Sequence, residues 1–273
     1  MNLMTAASVL QSGEAATCSR AATGQVLTPD QPARAITWAL PEEVPVALQY
    51  NSSAFTVMMA TPADLQDFAI GISIAEGIVT SARDISGVLV LPVENGITVD
   101  IAVEENLLDT GKLGRRSIEG RTGCGLCGVE DIAAAVKPLK PVHGHKVPGA
   151  AAILKAASAL PALQPMNLRN RTVHAAAWVD LNGDIKLVRE DVGRHNALDK
   201  LIGALAQTDI DRSSGIVLMT SRCSYELVQK CAFAGIGAIA TVSAPTALAL
   251  DLARASKVFL AALGAGGVVV FNS

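Results

Sequence analysis

Aromatic side chains are scarce in this 273-residue chain: two Trp, two Tyr and five Phe make up 3% of it. Its interior therefore has to be assembled from Ala, Val, Ile and Leu. An excess of positive charge is missing too. With 22 Lys and Arg against 25 Asp and Glu the formal net charge is -3, which removes the electrostatic footprint of a nucleic-acid binder. The first 33 residues carry Glu14 and no basic residue before Arg20, a poor match to an export signal. The charge-free stretch 231–250 is broken by Gly235, Gly237, Thr241, Ser243, Pro245 and Thr246. It reads as a buried strand followed by a capped helix, not as a membrane span. The five cysteines, Cys18, Cys124, Cys127, Cys223 and Cys231, are odd in number and lack framework spacing, which favours a reducing compartment. The expectation is a cytoplasmic protein with neither a membrane nor a nucleic acid as partner.

The most distinctive stretch is Arg121-Thr122-Gly123-Cys124-Gly125-Leu126-Cys127-Gly128-Val129-Glu130. Two thiols stand two residues apart, flanked by glycines that free the backbone and leave the sulfurs uncrowded. A helix is expected over 129–136, with Glu130 and Asp131 in its first turn. Cysteines just ahead of a helix lie near the positive end of its dipole, which favours thiolate, the nucleophilic and metal-binding form.

Along the chain, 1–33 reads as a flexible tail and 34–120 as an N-terminal α+β domain. Strands are expected over 34–40 and 44–60, the second broken by a turn at Asn51-Ser52-Ser53. Thr61-Pro62-Ala63-Asp64 reads as an N-cap, a first-turn proline and an acid opening a helix that stops at Gly77. A hairpin over 85–93 and 97–103 turns at Glu94-Asn95-Gly96. Residues 121–149 form the cysteine loop, its helix and a linker holding His143 and His145, and 150–273 forms a layered α/β domain. There strands at 173–179, 185–188, 215–220, 238–242 and 268–271 alternate with helices at 197–207, 225–234 and 247–255, after a first helix at 150–160.

In this second half, polar residues gather where strands give way to helices: Arg189 to Asn196, Ser221-Arg222-Cys223-Ser224, and Ser243-Ala244-Pro245-Thr246. The carboxyl ends of strands in open α/β sheets are where ligands bind, helix N-termini hold anions, and arginine forks match phosphate. Read singly, such Ser, Thr and Asp residues are caps; three such loops in one domain suggest an anionic ligand such as a nucleotide. The cysteine pair has its own alternatives. A closed zinc site needs four ligands, for which His143, His145 or Cys223 are the supplements. A thioredoxin-like dithiol lacks its βαβ setting. A zinc deaminase requires H-x-E, whereas the chain has His174-Ala175-Ala176 and places its CxxC ahead of it. A nucleophilic or sulfur-carrying thiol remains beside the zinc reading. Cys223 reads as a small loop residue, with a third reactive thiol in the ligand loop as its alternative, Cys231 as core, and Cys18 as a tail residue without a role.

From about 45 to 260 the sequence resembles the formate dehydrogenase accessory sulfurtransferase family, FdhD/NarQ. The resemblance is carried by Thr61-Pro62-Ala63-Asp64 with Glu76-Gly77-Ile78, by Gly123-Cys124-Gly125-Leu126-Cys127-Gly128, by His174-Ala175-Ala176, and by the block from Arg189 to Lys200. Ser221-Arg222 with Ser224 and Glu226, and Ser243-Ala244-Pro245-Thr246, complete it. The chain departs from the family pattern at Asn51-Ser52-Ser53, at Val173, and at 262–267, where relatives carry an aromatic residue and arginines.

The resemblance implies a sulfurtransferase with a cytidine-deaminase-like α/β domain that works as a homodimer. It would accept persulfide sulfur from a cysteine desulfurase on Cys124, assisted by Cys127. The sulfur would pass to the molybdenum cofactor, in its bis-guanine-dinucleotide form, for formate dehydrogenase, with guanine nucleotide as a mimic. Cofactor contacts then fall to Arg189, Asp191, Gly193, Arg194, His195, Ser221, Arg222, Ser243 and Thr246. The segment Ala262, Leu263, Gly264, Ala265, Gly266 and Gly267 would contribute backbone N–H groups as a nest. Read from the residues alone, His174 and His195 are proton shuttles or guanine contacts, or equally buried structural groups. The alternative of a different class is a cofactor-binding chaperone without sulfur chemistry.

Overall fold

The computed structural model describes residues 18–108 and 139–272. Cys124, Cys127 and the helix expected over 129–136 lie outside the described residues.

Where a tail is expected up to residue 33, the chain forms an antiparallel ribbon of β1 (Ser19–Thr28) and β2 (Gln31–Pro41). The small residues Ala21, Ala22 and Gly24 hide the alternation of β1, and only pairing with β2 reveals it. Cys18 at its root is no tail residue: it is fully buried with Ala63, Met166 and Val173.

The next strands, β3 (Val44–Tyr50), β4 (Ser53–Ala60), β5 (Ile85–Val93) and β6 (Gly96–Val103), form a sheet in the order β4-β3-β6-β5. Asn51 and Ser52 take the left-handed conformation at φ 48° and 64°, as a two-residue hairpin demands. The Asn51 side chain holds the turn by exchanging hydrogen bonds with the Val103 backbone at 2.8 and 3.0 Å. Helix α1 (Leu65–Ala75) follows Asp64, itself left-handed, so Thr61 is not its cap. Thr61 is drawn away by tertiary hydrogen bonds described below. The helix ends at Glu76 and the chain turns at Gly77, φ 67°.

The second half contains α2 (Ala150–Ala159), α3 (Pro165–Asn170), β7 (His174–Val179), β8 (Ile185–Asp191), α4 (Arg194–Ala206) and β9 (Ile216–Arg222). It finishes with α5 (Tyr225–Phe233), β10 (Ala238–Ser243), α6 (Ala247–Ser256), β11 (Phe259–Gly264) and β12 (Gly267–Asn272). The six strands form one mixed sheet in the order β12-β11-β10-β9-β7-β8. β9, β10 and β11 run parallel, while β7 opposes β9 and β8 opposes β7.

Alternation sends side chains to both faces of this sheet. Ala177, Val179, Ile216, Leu218, Ala240 and Ala261 pack with Ile153, Ala156 and Leu160 on the α2 side. Trp178, Val217, Met219 and Ile239 join the main interior with Leu198 and Leu201 of α4, Phe68 and Ile72 of α1, and Leu48 and Val99 of the four-stranded sheet. One apolar interior thus crosses the boundary that composition suggests near 121–149. The central contact is α1 against α4. A Cβ on Gly71 would fall on the carbonyl of Asp199, and one on Gly203 on the carbonyl of Asp67, so these two glycines let the helix backbones touch. Among the described residues, no helix is long and apolar enough to cross a membrane.

Candidate functional site

The strand directions gather the polar loops on one edge. The parallel strands β9, β10 and β11 all end there, so Arg222, Ser243 and Gly264 come together; Ser243 is in register with Arg222, and Thr241 with Ala262. Because β7 and β8 alternate in direction, β7 begins and β8 ends at the same edge, with His174 opposite Asp191. Three helices, α4, α5 and α6, start from it. Thr246 caps α6 through the Ala249 N–H at 3.2 Å. At α4 and α5 the cap positions, Gly193 and Ser224, make no side-chain capping bond, and the positive ends of both helix dipoles face this edge.

Asp191 is the anchor beneath it. The carboxylate is fully buried and fully subscribed. Its Oδ2 accepts from the Thr61 N–H at 3.0 Å and pairs with Lys200 Nζ at 2.7 Å. Its Oδ1 accepts from the Gly193 N–H at 2.8 Å and Asn196 Nδ2 at 3.0 Å. Lys200, also fully buried, donates further to the Thr61 carbonyl, and the Thr61 hydroxyl accepts from the Val192 N–H. Asp191 therefore fixes the turn into α4 and ties it to the loop before α1. Under α4 lies a second buried group, Asp199 with Lys230 at 2.9 Å and Glu76 with Lys230 at 3.1 Å. Burial pushes the Asp199 carboxyl up to about 6.

At the edge itself, His195 Nε2 lies 3.2 Å from Glu226 Oε2 and 3.4 Å from Ser224 Oγ. Both contacts fall on the same ring nitrogen, so these groups do not form a hydrolytic triad, which needs acid and nucleophile on opposite nitrogens. Burial raises the Glu226 pKa, but hydrogen bonds from His195 and Ser224 and the nearby Arg194 charge outweigh it, and the net shift is downward. His174 is held below its ordinary value by burial, then by the charges of Arg194 and His195. Arg194 Nε is buried with no hydrogen-bond partner among the described residues. Arg222 is exposed. The edge combines arginine charge with helix N-termini, a chemistry suited to phosphate.

The expected contact residues divide by position. Gly193, Arg194, His195, Ser221, Arg222, Ser243 and Thr246 share the edge, though the Thr246 hydroxyl is engaged in capping. Arg189 faces elsewhere: Nε and Nη2 both reach Asp67 Oδ2 at 2.7 Å, with Asp64 at 3.6 Å. Its fork is already occupied by carboxylates. The segment 262–267 is a strand end and a hairpin turn: Gly264 pairs with Gly267, and Ala265 and Gly266 turn at φ 49° and 77°. Ala262 and Leu263 have ladder partners in Val269 and Val268, so the open N–H groups of a nest are confined to the turn. Glu226, singled out in the sequence only as part of the resemblance, emerges in the fold as the partner of His195. Glu190, beside Asp191, accepts the N–H groups of Met166 and Asn167, each at 2.9 Å, and holds α3 in place.

Among the described residues no cluster of three or more His, Cys, Asp and Glu could hold a metal ion. His145 Nε2 accepts the Gly237 N–H. Cys223 lies behind the edge, fully buried, and burial pushes its thiol up to about 12; burial raises Cys231 as well. At pH 8 the Cys223 thiol is therefore held protonated. Iodoacetamide applied to the native protein at pH 8 is expected to leave Cys18, Cys223 and Cys231 unmodified, with all three labelled in urea, as read by peptide mass spectrometry.

Fold and edge together define a mixed α/β protein with arginines and helix N-termini collected at one edge of a mixed sheet. Comparison with known proteins gives the family. The FdhD/NarQ family model matches residues 41–270, and the chain belongs to this family. It is 48% identical over 219 residues to a Sulfur carrier protein FdhD from Bordetella petrii, covering 80% of this chain and 79% of that one. To the protein of the same name from Cupriavidus necator it is 47% identical over 247 residues, covering 90% and 83%. A crystal structure described as a formate dehydrogenase accessory protein from Desulfotalea psychrophila superposes with a TM-score of 0.75 at 24% identity, covering 94% of this chain and 98% of that one. That similarity bears out the mixed α/β architecture.

Proposed function

We propose that the chain is a sulfur carrier serving formate dehydrogenase, with Cys124 as the loaded residue. The observation that carries this reading is the Gly123-Cys124-Gly125-Leu126-Cys127-Gly128 motif in a chain 48% identical to a protein named as a sulfur carrier. The Cys124 thiolate attacks the terminal sulfur of a cysteine desulfurase persulfide. A new S–S bond forms, the old one breaks, and the desulfurase cysteine leaves as thiolate. Attack by Cys127 on Cys124 can then release the carried sulfur as hydrosulfide, leaving a Cys124–Cys127 disulfide.

The sulfur acceptor in this reading is the molybdenum cofactor in its bis-guanine-dinucleotide form, a substrate and not a resident group. Its phosphates suit the α4 and α5 N-termini, Arg194 and Arg222, with Ser221, Ser243 and the Ala265-Gly266 turn beside them. His195, steadied by Glu226, would meet a polar edge of the guanine. Arg189 and Asp191 shape the site without touching the ligand. On the same reading the larger layer is cytidine-deaminase-like and the working form is a homodimer in the cytoplasm.

The test is sulfur loading. After incubation with a cysteine desulfurase and cysteine, the wild-type chain is expected to gain sulfur at Cys124, read by mass spectrometry. Cys124→Ser is expected to gain none while retaining GDP binding. Equal loading of Cys124→Ser would remove Cys124 from the mechanism. Maturation of formate dehydrogenase by Cys124→Ser, with failure by Arg194→Ala, would favour the chaperone without sulfur chemistry.

A further inference from the structure

His174 is a half-buried imidazole at the candidate edge, and its ring makes no hydrogen bond among the described residues. Its placement follows from strand alternation. On β7, Ala176 and Trp178 belong to the main interior, and Ala177 and Val179 to the α2 side. His174 therefore falls on the face that α4 covers. It stands opposite Asp191 of β8, and residues paired across antiparallel strands share a face.

Among the described residues Asp191 is the one acid acting on His174, and Asp191 is already spent. Thr61, Gly193, Asn196 and Lys200 fill both of its oxygens, and Lys200 cancels its charge. The other charged neighbours, Arg194 and His195, both come from α4 and both oppose a second positive charge. The acid nearest to them, Glu226 of α5, is paired with His195. From β9 comes a neutral group, the Thr220 hydroxyl, which accepts the Ala175 N–H at 2.8 Å. Burial, then Arg194 and His195, hold His174 below its ordinary value, so at pH 7 the free ring is neutral. Arg194 Nε, beside it, is buried without a partner. An imidazole lacking a counter-ion and a guanidinium with an unpaired N–H share one need, an incoming negative charge.

We propose that a phosphate-bearing ligand at this edge is held by His174 together with Arg194, and that the imidazole takes up one proton from solvent as the ligand binds. The phosphate supplies the counter-charge that Asp191 withholds, and the imidazolium donates a hydrogen bond to a phosphate oxygen. The inference rests on the anionic cofactor of the proposed function and adds the group that makes its capture pH-dependent. Because the proton is bound more tightly in the complex than in the free protein, affinity rises as pH falls through the pKa of the bound imidazole. It levels off below the pKa of the free one.

GDP is the probe, and the full chain, with its four histidines, is the sample. Proton NMR follows the imidazole titrations with and without saturating GDP, and the signal missing from His174→Gln identifies His174. Far-UV circular dichroism verifies folding, and His174→Asn serves the same purpose if the Gln variant does not fold. The His174 midpoint is expected to rise by about one unit or more on binding, which is a factor of about ten in affinity. By calorimetry, the ratio of wild-type to His174→Gln affinity is expected to grow roughly tenfold from about pH 8.5 to about pH 5.5. The GDP phosphate and His195 titrate in both proteins, so the ratio isolates His174. Binding of GDP with the His174 midpoint unmoved, or with a flat ratio, would overturn the proposal and leave the cofactor reading standing. A wild-type chain that does not bind GDP would overturn both.

Discussion

Gly203→Ala is expected to remove most or all of the native state. The added methyl has nowhere to go: it lands on the Asp67 carbonyl of α1, with the Gly71 N–H close behind. Both obstacles are backbone, so no side chain can swing aside, and the two helices would have to separate along their whole contact. Separation loosens Phe68, Ile72, Leu198 and Leu201 at once, all of them in the main interior. Overpacking of an ordinary core position costs about 1–3 kcal/mol, occasionally more, and a backbone collision belongs at or beyond the top of that range. Gly71→Ala is expected to do the same from the other side, through the Asp199 carbonyl. Gly87→Ala, on β5, meets nothing within 4 Å, and is expected to stay within about 0.5 kcal/mol of wild type. Urea unfolding followed by circular dichroism compares the three; equal stability would disprove the close helix crossing.

Lys200→Met is the second large expected loss. It strips the cation from Asp191 while leaving that carboxylate at zero exposure. Breaking a buried pair from one side costs about 3–5 kcal/mol, because the orphaned charge has no route to water. Three neutral donors remain on Asp191, from Thr61, Gly193 and Asn196, and they soften the loss without replacing the cation. Asp191→Asn should likewise strand Lys200. The double variant Asp191→Asn/Lys200→Met, carrying no buried charge, is expected to be more stable than either single one. A double variant as unstable as the sum of its parts would show that the two residues do not act as a pair.

These residues also show what the sequence could and could not reveal. Both hairpins of the four-stranded sheet were readable, because β-branched runs and asparagine turns act within a few residues. Helices α2, α4, α5 and α6 carried enough period to be seen. Three elements escaped. β1 is diluted by small residues and defined by its partner. α3 is six residues long, too short for periodicity, and is held by Glu190 from a distant strand. The apolar run of β11 merges with the end of α6. The Thr61-Pro62-Ala63-Asp64 stretch obeys the local rules for a helix start, yet its threonine answers to Asp191, Val192 and Lys200, more than a hundred residues away.

The gathering of the polar loops at one edge was legible; which of their side chains are already occupied was not. Polar loops after successive strands predicted a common edge, since parallel strands must end together. Nothing local distinguishes Arg189, spent on Asp67, from Arg194, whose Nε has no partner among the described residues. Lys200 looks like a surface lysine on a helix, and only the fold buries it.

The shared interior has a consequence during synthesis. Residues 65–75 leave the ribosome with Phe68, Ile72 and their neighbours exposed, and the helix that covers them, α4, ends at Ala206. At roughly 5–20 residues per second the nascent chain carries that greasy surface for several seconds or longer before its cover exists. Production in cells should therefore depend on holding chaperones at the tunnel exit, and truncation before α4 should yield inclusion bodies instead of a folded amino-terminal half.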